Sequence, residues 1–294
     1  MERNLTEGSV FKNILYFSLP YFLSCFLQTL YSMADLFIIG QFGSVADITS
    51  VSIGGQVMHM ITVMIVGLAM GTTVTISQSI GANDKKIAAL FTGNTVTLFL
   101  TVSIIAAAVL LFFVKPIVNI MSTPKEAING TVNYLAICFA GIPFITSYNI
   151  ISSILRGMGD SKSPMYFIAI SCFANIVLDY IFMGFFNMGP AGAALGTTLS
   201  QTISVIVSLI FILKKDTGIN LKKSDFKPAK RITGKILNIG VPVALQDGFI
   251  QIAFIVITII ANMRGLNDAA AVGIVEKIIG IVFLVPSSML SSVS

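Results

Sequence analysis

Asp35, Asp179, Asp247, Glu276 and Lys277 lie inside long apolar stretches of this chain. An Asp at the centre of a helix in hydrocarbon costs about 2.5 to 3.5 kcal/mol on insertion scales, so each such residue is a functional candidate by default. Gln28, Tyr31, Ser32 and Asp35 recur at i, i+3, i+4 and i+7 and share one helix face. Ser171, Asn175 and Asp179 follow at successive fours, and Thr197, Gln201, Ser204 and Ser208 repeat the spacing. Hydrocarbon satisfies none of these groups, so the three stripes are expected to converge on a common interior.

Two carboxylates with an amide and hydroxyls form a set of hard oxygen ligands suited to a proton or Na⁺. If Asp35 and Asp179 approach, desolvation and mutual repulsion disfavour double ionisation. Such a pair would load and release a cation as its exposure changes. The simpler alternative is hydrogen bonding between neighbouring helices, often worth under about 1 kcal/mol each. Asp247, with Gln251 four residues on, is a further cavity-lining candidate. Glu276 and Lys277 could equally form a local ion pair at a helix start. His59, the only histidine, reads as a packed polar residue rather than a proton relay. Pro20 removes a backbone hydrogen bond fifteen residues before Asp35 and offers a hinge.

The elements that position these groups follow from composition. Of 294 residues, 55% are apolar and 11% charged, with no tryptophan, three cysteines and a mean hydropathy of +0.91. A soluble domain carries about 25% charged residues, so this chain has too little polar surface for water. Charge-free runs cover residues 48–83, 87–114, 127–155 and 180–213, each longer than the roughly 20 residues a spanning helix needs. An outer-membrane barrel would instead show alternation over about ten residues. The fold expected is all-α and polytopic. Eight spans are expected at about 14–39, 51–80, 89–114, 131–155, 165–186, 191–213, 236–262 and 270–292.

Cys25, Cys138 and Cys172 stand singly in apolar segments and read as packed thiols. The N-terminus mixes acids with bases and does not look like a removable signal peptide. The net charge of +5 resolves loop by loop. With the N-terminus cytoplasmic, inner segments hold 14 Lys/Arg and outer loops only Lys115, Lys125 and Arg264. Residues 214–235 hold eight Lys/Arg and two Asp. That stretch reads as a solvated linker serving topology, or as a contact for anionic lipid headgroups.

Pro20 and Gly43 superpose on Pro242 and Gly265 at an offset of 222. After one deletion, Ala46-Asp-Ile-Thr-Ser-Val51 meets Asn267-Asp-Ala-Ala-Ala-Val272. A parallel internal repeat of two six-helix bundles is therefore expected. Residues 1–213 form the first lobe, 214–235 the basic linker, and 236–294 the first two helices of a second lobe. On that pattern the sequence as given is a fragment.

Leu19-Pro20, Asp35-Leu-Phe-Ile-Ile-Gly40, Arg156-Gly-Met-Gly-Asp160, Asn175-Ile-Val-Leu-Asp179 and Gly192-Ala-Ala-Leu-Gly-Thr197 together resemble the multidrug and toxic compound extrusion (MATE) family of cation-coupled antiporters. The resemblance implies twelve helices in two lobes around a central cleft, and efflux of cationic or amphipathic small molecules against inward H⁺ or Na⁺. It implies a cation site at Asp35, Asn175, Asp179 and Thr197, with the first helix pivoting at Pro20. The glutamate that one branch of the family carries in span seven is missing, because this chain reads Phe249-Ile-Gln251 there.

A lipid-linked oligosaccharide flippase of the same architecture is the rival carrier. It would want basic residues in its cavity for pyrophosphate, and the first six spans have none at mid-membrane. An intramembrane aspartyl protease is the rival of another class, since Gly157-Met-Gly-Asp160 fits a short G-x-G-D string. No phosphate loop, dinucleotide fingerprint or H-E-x-x-H string appears. The expected protein is therefore not an enzyme. It needs no cofactor and neither ATP nor nucleic acid; it draws on an ion gradient, meets membrane lipid, and is a monomer at full length in a prokaryotic plasma membrane.

Overall fold

A computed structural model describes residues 9–214 and 221–264, with scattered helical positions between 275 and 289. Most of span eight, including Glu276 and Lys277, and the second halves of the repeat pairings from Gly265 onward lie outside the described residues. Eight α-helices are described: α1 (Val10–Phe42), α2 (Val45–Gly81), α3 (Lys85–Phe112), α4 (Val114–Ile120), α5 (Ile128–Gly157), α6 (Lys162–Asp179), α7 (Gly189–Lys214) and α8 (Lys230–Arg264). Among the described residues, all but α4 contribute a segment long and apolar enough to cross a membrane.

The polarity is inverted relative to a soluble bundle. Leu100, Ile104, Ile105 and Phe112 on α3, Phe173 on α6 and Ile206 on α7 are exposed, as a lipid-facing surface requires. Ser171, Asn175, Asp179, Ser204 and Ser208 are at most 1% exposed. The apolar centre is built by Val57 and Met58 of α2, Leu135, Phe139 and Ile142 of α5, Ala193 and Ala194 of α7, and Ile38 and Ile39 of α1.

Helix ends differ from the expected spans where caps extend them. α2 starts at Val45, six residues before the apolar run, because Ser44 and Asp47 close a capping box: the Ser44 N–H and hydroxyl donate to Asp47 Oδ2 at 2.9 and 2.8 Å. α3 starts at Lys85, where Asp84 Oδ1 accepts the Ile87 N–H at 3.0 Å. α8 starts at Lys230, so the last basic residues of the expected linker form its first turns.

The end of that linker is not freely solvated. Asn94 of α3 donates its side-chain amide to the Asp225 carbonyl at 3.0 Å and accepts the Ala229 N–H at 2.7 Å. The Thr97 hydroxyl donates to the Phe226 carbonyl at 2.8 Å. Two side chains thus take up backbone groups that an apolar helix face would leave unpaired.

α8 crosses onto α2 through small residues. A Cβ on Gly71 would collide with the Ile236 carbonyl, and one on Gly240 with the Leu68 carbonyl. Gly67 meets Ala244 in the same antiparallel register. Pro242 lies inside α8 as Pro20 lies inside α1.

Candidate functional site

Three helices carry the acidic cluster. α6 packs against both α1 and α7, which turns the fourfold-spaced stripe of α6 toward the stripes of its two neighbours. Asp35 is 5% exposed, Asn175 1% and Asp179 0%. The Thr197 hydroxyl donates to Asp35 Oδ2 at 3.3 Å. Asp35 and Asp179 are direct electrostatic neighbours, with Asn175 alongside.

Most of the polar atoms in this cluster lack protein partners. Asp35 Oδ1, both Asp179 oxygens and both Asn175 amide atoms are buried without a hydrogen bond. A buried carboxylate left unsatisfied is costly, and native interiors leave only a few polar atoms unpaired per hundred residues. Here five such atoms belong to three neighbouring residues, Asp35 of α1 and Asn175 and Asp179 of α6. The donor set is carboxylate, amide and hydroxyl oxygen, which fits a proton or Na⁺ and offers nothing soft. Among the described residues no group of three or more His, Cys, Asp or Glu is placed to hold a metal ion.

Local backbone geometry makes the approach possible. Directly after Asp179 the helix widens into a π turn over Tyr180–Phe185, with the Phe186 N–H reaching the Ile181 carbonyl at 3.0 Å. Such widened turns recur at functional sites because they re-aim the side chains beside them. On the facing helix, a Cβ on Gly196 would collide with Asp179 Oδ1. Gly192, one turn earlier, meets the Phe182 backbone. The Gly192/Gly196 spacing is the close-approach signature of membrane helices, and that was the available sequence signal for this contact.

The remaining candidates divide. Tyr31 is half-buried beside Asp35 and near Tyr148. Gln28 is half-buried, while Ser171 and Gln201 are buried on the site face of α6 and α7. Ser32 departs from the expected stripe: it is exposed and donates to the Gln28 carbonyl of its own helix at 3.1 Å. Four residues spread over an arc of the helix, and Ser32 falls on its outer edge. Asp247 and Gln251 are half-buried on α8, whose packing among the described residues is chiefly on α2 and α3. His59 is exposed on α2 rather than packed.

Pro20 is buried within an unbroken α1, and the Ser24 hydroxyl donates to its carbonyl at 2.9 Å. Sequence reasoning missed the contacts that bracket it. Arg156 lies over the Tyr21 ring at 5.0 Å and Lys162 over the Tyr16 ring at 4.7 Å. It also missed Tyr134 and Cys138 of α5, which lie near Asp35. Their spacing resembles ordinary core packing, so the chain alone carries no signal for them. The three cysteines are free thiols.

Asp160 has a local duty at the start of α6, accepting the Ser163 N–H at 3.0 Å and the Ser163 hydroxyl at 2.6 Å. The 18 residues of α6 separate it from Asp179, about 27 Å at the helical rise. A protease-like pair of Asp160 and Asp179 is therefore not formed.

A sequence model described as MatE matches residues 20–181. The chain is 31% identical to the probable multidrug resistance protein YpnP of Bacillus subtilis, over 96% of this chain and 63% of that protein. It is 30% identical to the probable multidrug resistance protein NorM of Thermotoga maritima, over 80% of this chain and 51% of that protein. A MOP superfamily transporter from Pyrococcus furiosus superposes with a TM-score of 0.90 at 27% identity, covering 98% of this chain and 64% of that one. The chain spans less than two thirds of the length of each of these proteins. The matched region runs from Pro20 past Asp179 and so takes in both buried carboxylates, and on it the chain, a multi-pass helical membrane protein, belongs to the MATE family.

Proposed function

We propose that this chain belongs to a multidrug efflux transporter that exports cationic or amphipathic small molecules by antiport with H⁺ or Na⁺. The observation that carries the reading is the cluster of Asp35, Asn175, Asp179 and Thr197, with four carboxylate and amide oxygens buried and unpartnered. A cation entering there supplies the missing partner and relieves the repulsion of two adjacent anions. Cation binding favours one packing of α1 against α6 and α7; α1 pivots about Pro20, and the cleft changes shape. Substrate then weakens cation binding by the factor by which the cation weakens substrate binding.

The same reading puts the N-terminus in the cytoplasm of a prokaryote, following the Lys/Arg asymmetry of the loops. Each charge moving inward through 100 mV supplies about 2.3 kcal/mol, and a pH or sodium difference adds to it.

The test is drug uptake into inverted vesicles carrying the transporter, with pH and sodium gradients imposed separately. Uptake driven by one or both gradients, and lost in Asp35→Asn and Asp179→Asn, supports the assignment. Gradient-driven uptake that survives both substitutions at normal expression removes it.

A further inference from the structure

An open cavity lies at the lysine-rich end of the bundle, and none of its lining residues belongs to the acidic cluster. It holds about 450 Å³ between the end of α2, the start of α3 and the start of α8. Its lining combines the polar Gln78, Asp84, Lys235 and Asn238 with the apolar Ile87, Phe91 and Ile239. It therefore offers polar and apolar contacts together.

Basic residues outnumber acidic ones on the segments around it. Lys85 and Lys86 begin α3, Lys222, Lys223 and Lys227 precede α8, and Lys230 and Arg231 form its first turn; all are exposed. Asp84 is the one acidic group in the lining, and its carboxylate is engaged in capping α3. Lys235 is exposed and lines the cavity from α8. A lysine ammonium is a point charge suited to a phosphate oxygen. Gln78 and Asn238 add neutral donors for the ester and glycerol oxygens of such a group.

We propose that this cavity binds the headgroup of an anionic phospholipid, with Lys235 on the phosphate and the acyl chains running over Ile87 and Ile239. Because α2 and α3 belong to the first lobe and α8 follows the linker, the lipid bridges the two at the contact of Gly71 with Gly240. An occupant held by both sides favours the packing in which α2 and α8 touch. The site is independent of the transport reading; only its assignment to the cytoplasmic leaflet rests on the proposed orientation.

The experiment titrates the purified full chain in neutral detergent with dioleoylphosphatidylglycerol, dioleoylphosphatidylcholine or inorganic phosphate, counting bound lipid by native mass spectrometry. The expected result is one tightly held phosphatidylglycerol, weakened on the order of tenfold by Lys235→Gln and retained in Lys235→Arg. Phosphatidylcholine and inorganic phosphate do not displace it, and Lys125→Gln leaves it unchanged. Equal phosphatidylglycerol affinity in the parent and Lys235→Gln overturns the proposal. Displacement by inorganic phosphate at matched concentration also overturns it, because the cavity is then a site for free anions. A loss in Lys222→Gln as large as in Lys235→Gln overturns it too, since diffuse charge attraction would then suffice. Lys235 is exposed, so its variants fold, and a failed lipid test leaves the vesicle uptake result untouched.

Discussion

The Thr197 hydroxyl donates to Asp35 Oδ2 at 3.3 Å and ties α7 to α1 across the acidic cluster. A hydrogen bond to a charged group contributes about 1.5 to 3 kcal/mol. Thr197→Val is therefore expected to change the apparent affinity for the coupling cation roughly tenfold, whereas Thr197→Ser keeps the donor and most of the parent's ion dependence. The half-saturating ion concentration in vesicle uptake measures both.

Asp35→Asn and Asp179→Asn each remove one charge of an adjacent pair. Each is expected to cut gradient-driven uptake at least about tenfold, with little loss of thermal stability, because the amide replaces a carboxylate that is already short of partners. Drug binding to the de-energised protein should survive. Loss of drug binding together with uptake would point to misfolding instead of uncoupling.

Gly196 admits Asp179 only because it has no side chain. Gly196→Ala is expected to destabilise by about 1 to 3 kcal/mol, the range for overpacking, and to shift the ion dependence of uptake. Gly234, early in α8, has open space around it, so Gly234→Ala should leave the unfolding temperature unchanged or slightly raised. Comparing the two by thermal unfolding separates close packing from helix propensity.

Arg156 and Lys162 hold Tyr21 and Tyr16 on either side of Pro20. An exposed cation–π contact contributes about 0.5 to 1 kcal/mol. The double variant Arg156→Gln with Lys162→Gln is expected to speed amide exchange in α1 around Tyr16 and Tyr21 several-fold, leaving the segment near Asp35 as protected as before. Equal exchange throughout would show that the rings do not restrain the helix.

Asn94 straps the segment before α8 to α3 with two hydrogen bonds. Asn94→Leu leaves the Asp225 carbonyl and the Ala229 N–H without their partner. Trypsin should then cut at Lys222 or Lys223 several-fold faster than in the parent, as read by gel electrophoresis after limited digestion.

Much of this architecture can be read from the chain because hydrocarbon imposes one severe condition: backbone and side-chain polar groups must be satisfied inside the bundle. Long apolar runs then locate the helices, and fourfold-spaced polar residues such as Ser171, Asn175 and Asp179 announce an inward face. Helix ends were less legible, since the Ser44 and Asp47 cap and the Asn94 strap act through backbone groups that hydropathy ignores.

Spacing along one helix settled which residues of α1, α6 and α7 share a face, because a helical turn is a local property. Whether those faces meet depends on contacts distant in the chain: Gly196 against Asp179, the π turn after it, and the packing of α6 between α1 and α7. The same holds for Ser32, whose register permits either side of the stripe until neighbours claim one, and for the cavity between α2, α3 and α8. Side chains separated by more than a hundred residues become partners only once helix crossings are set, and no local period records a crossing.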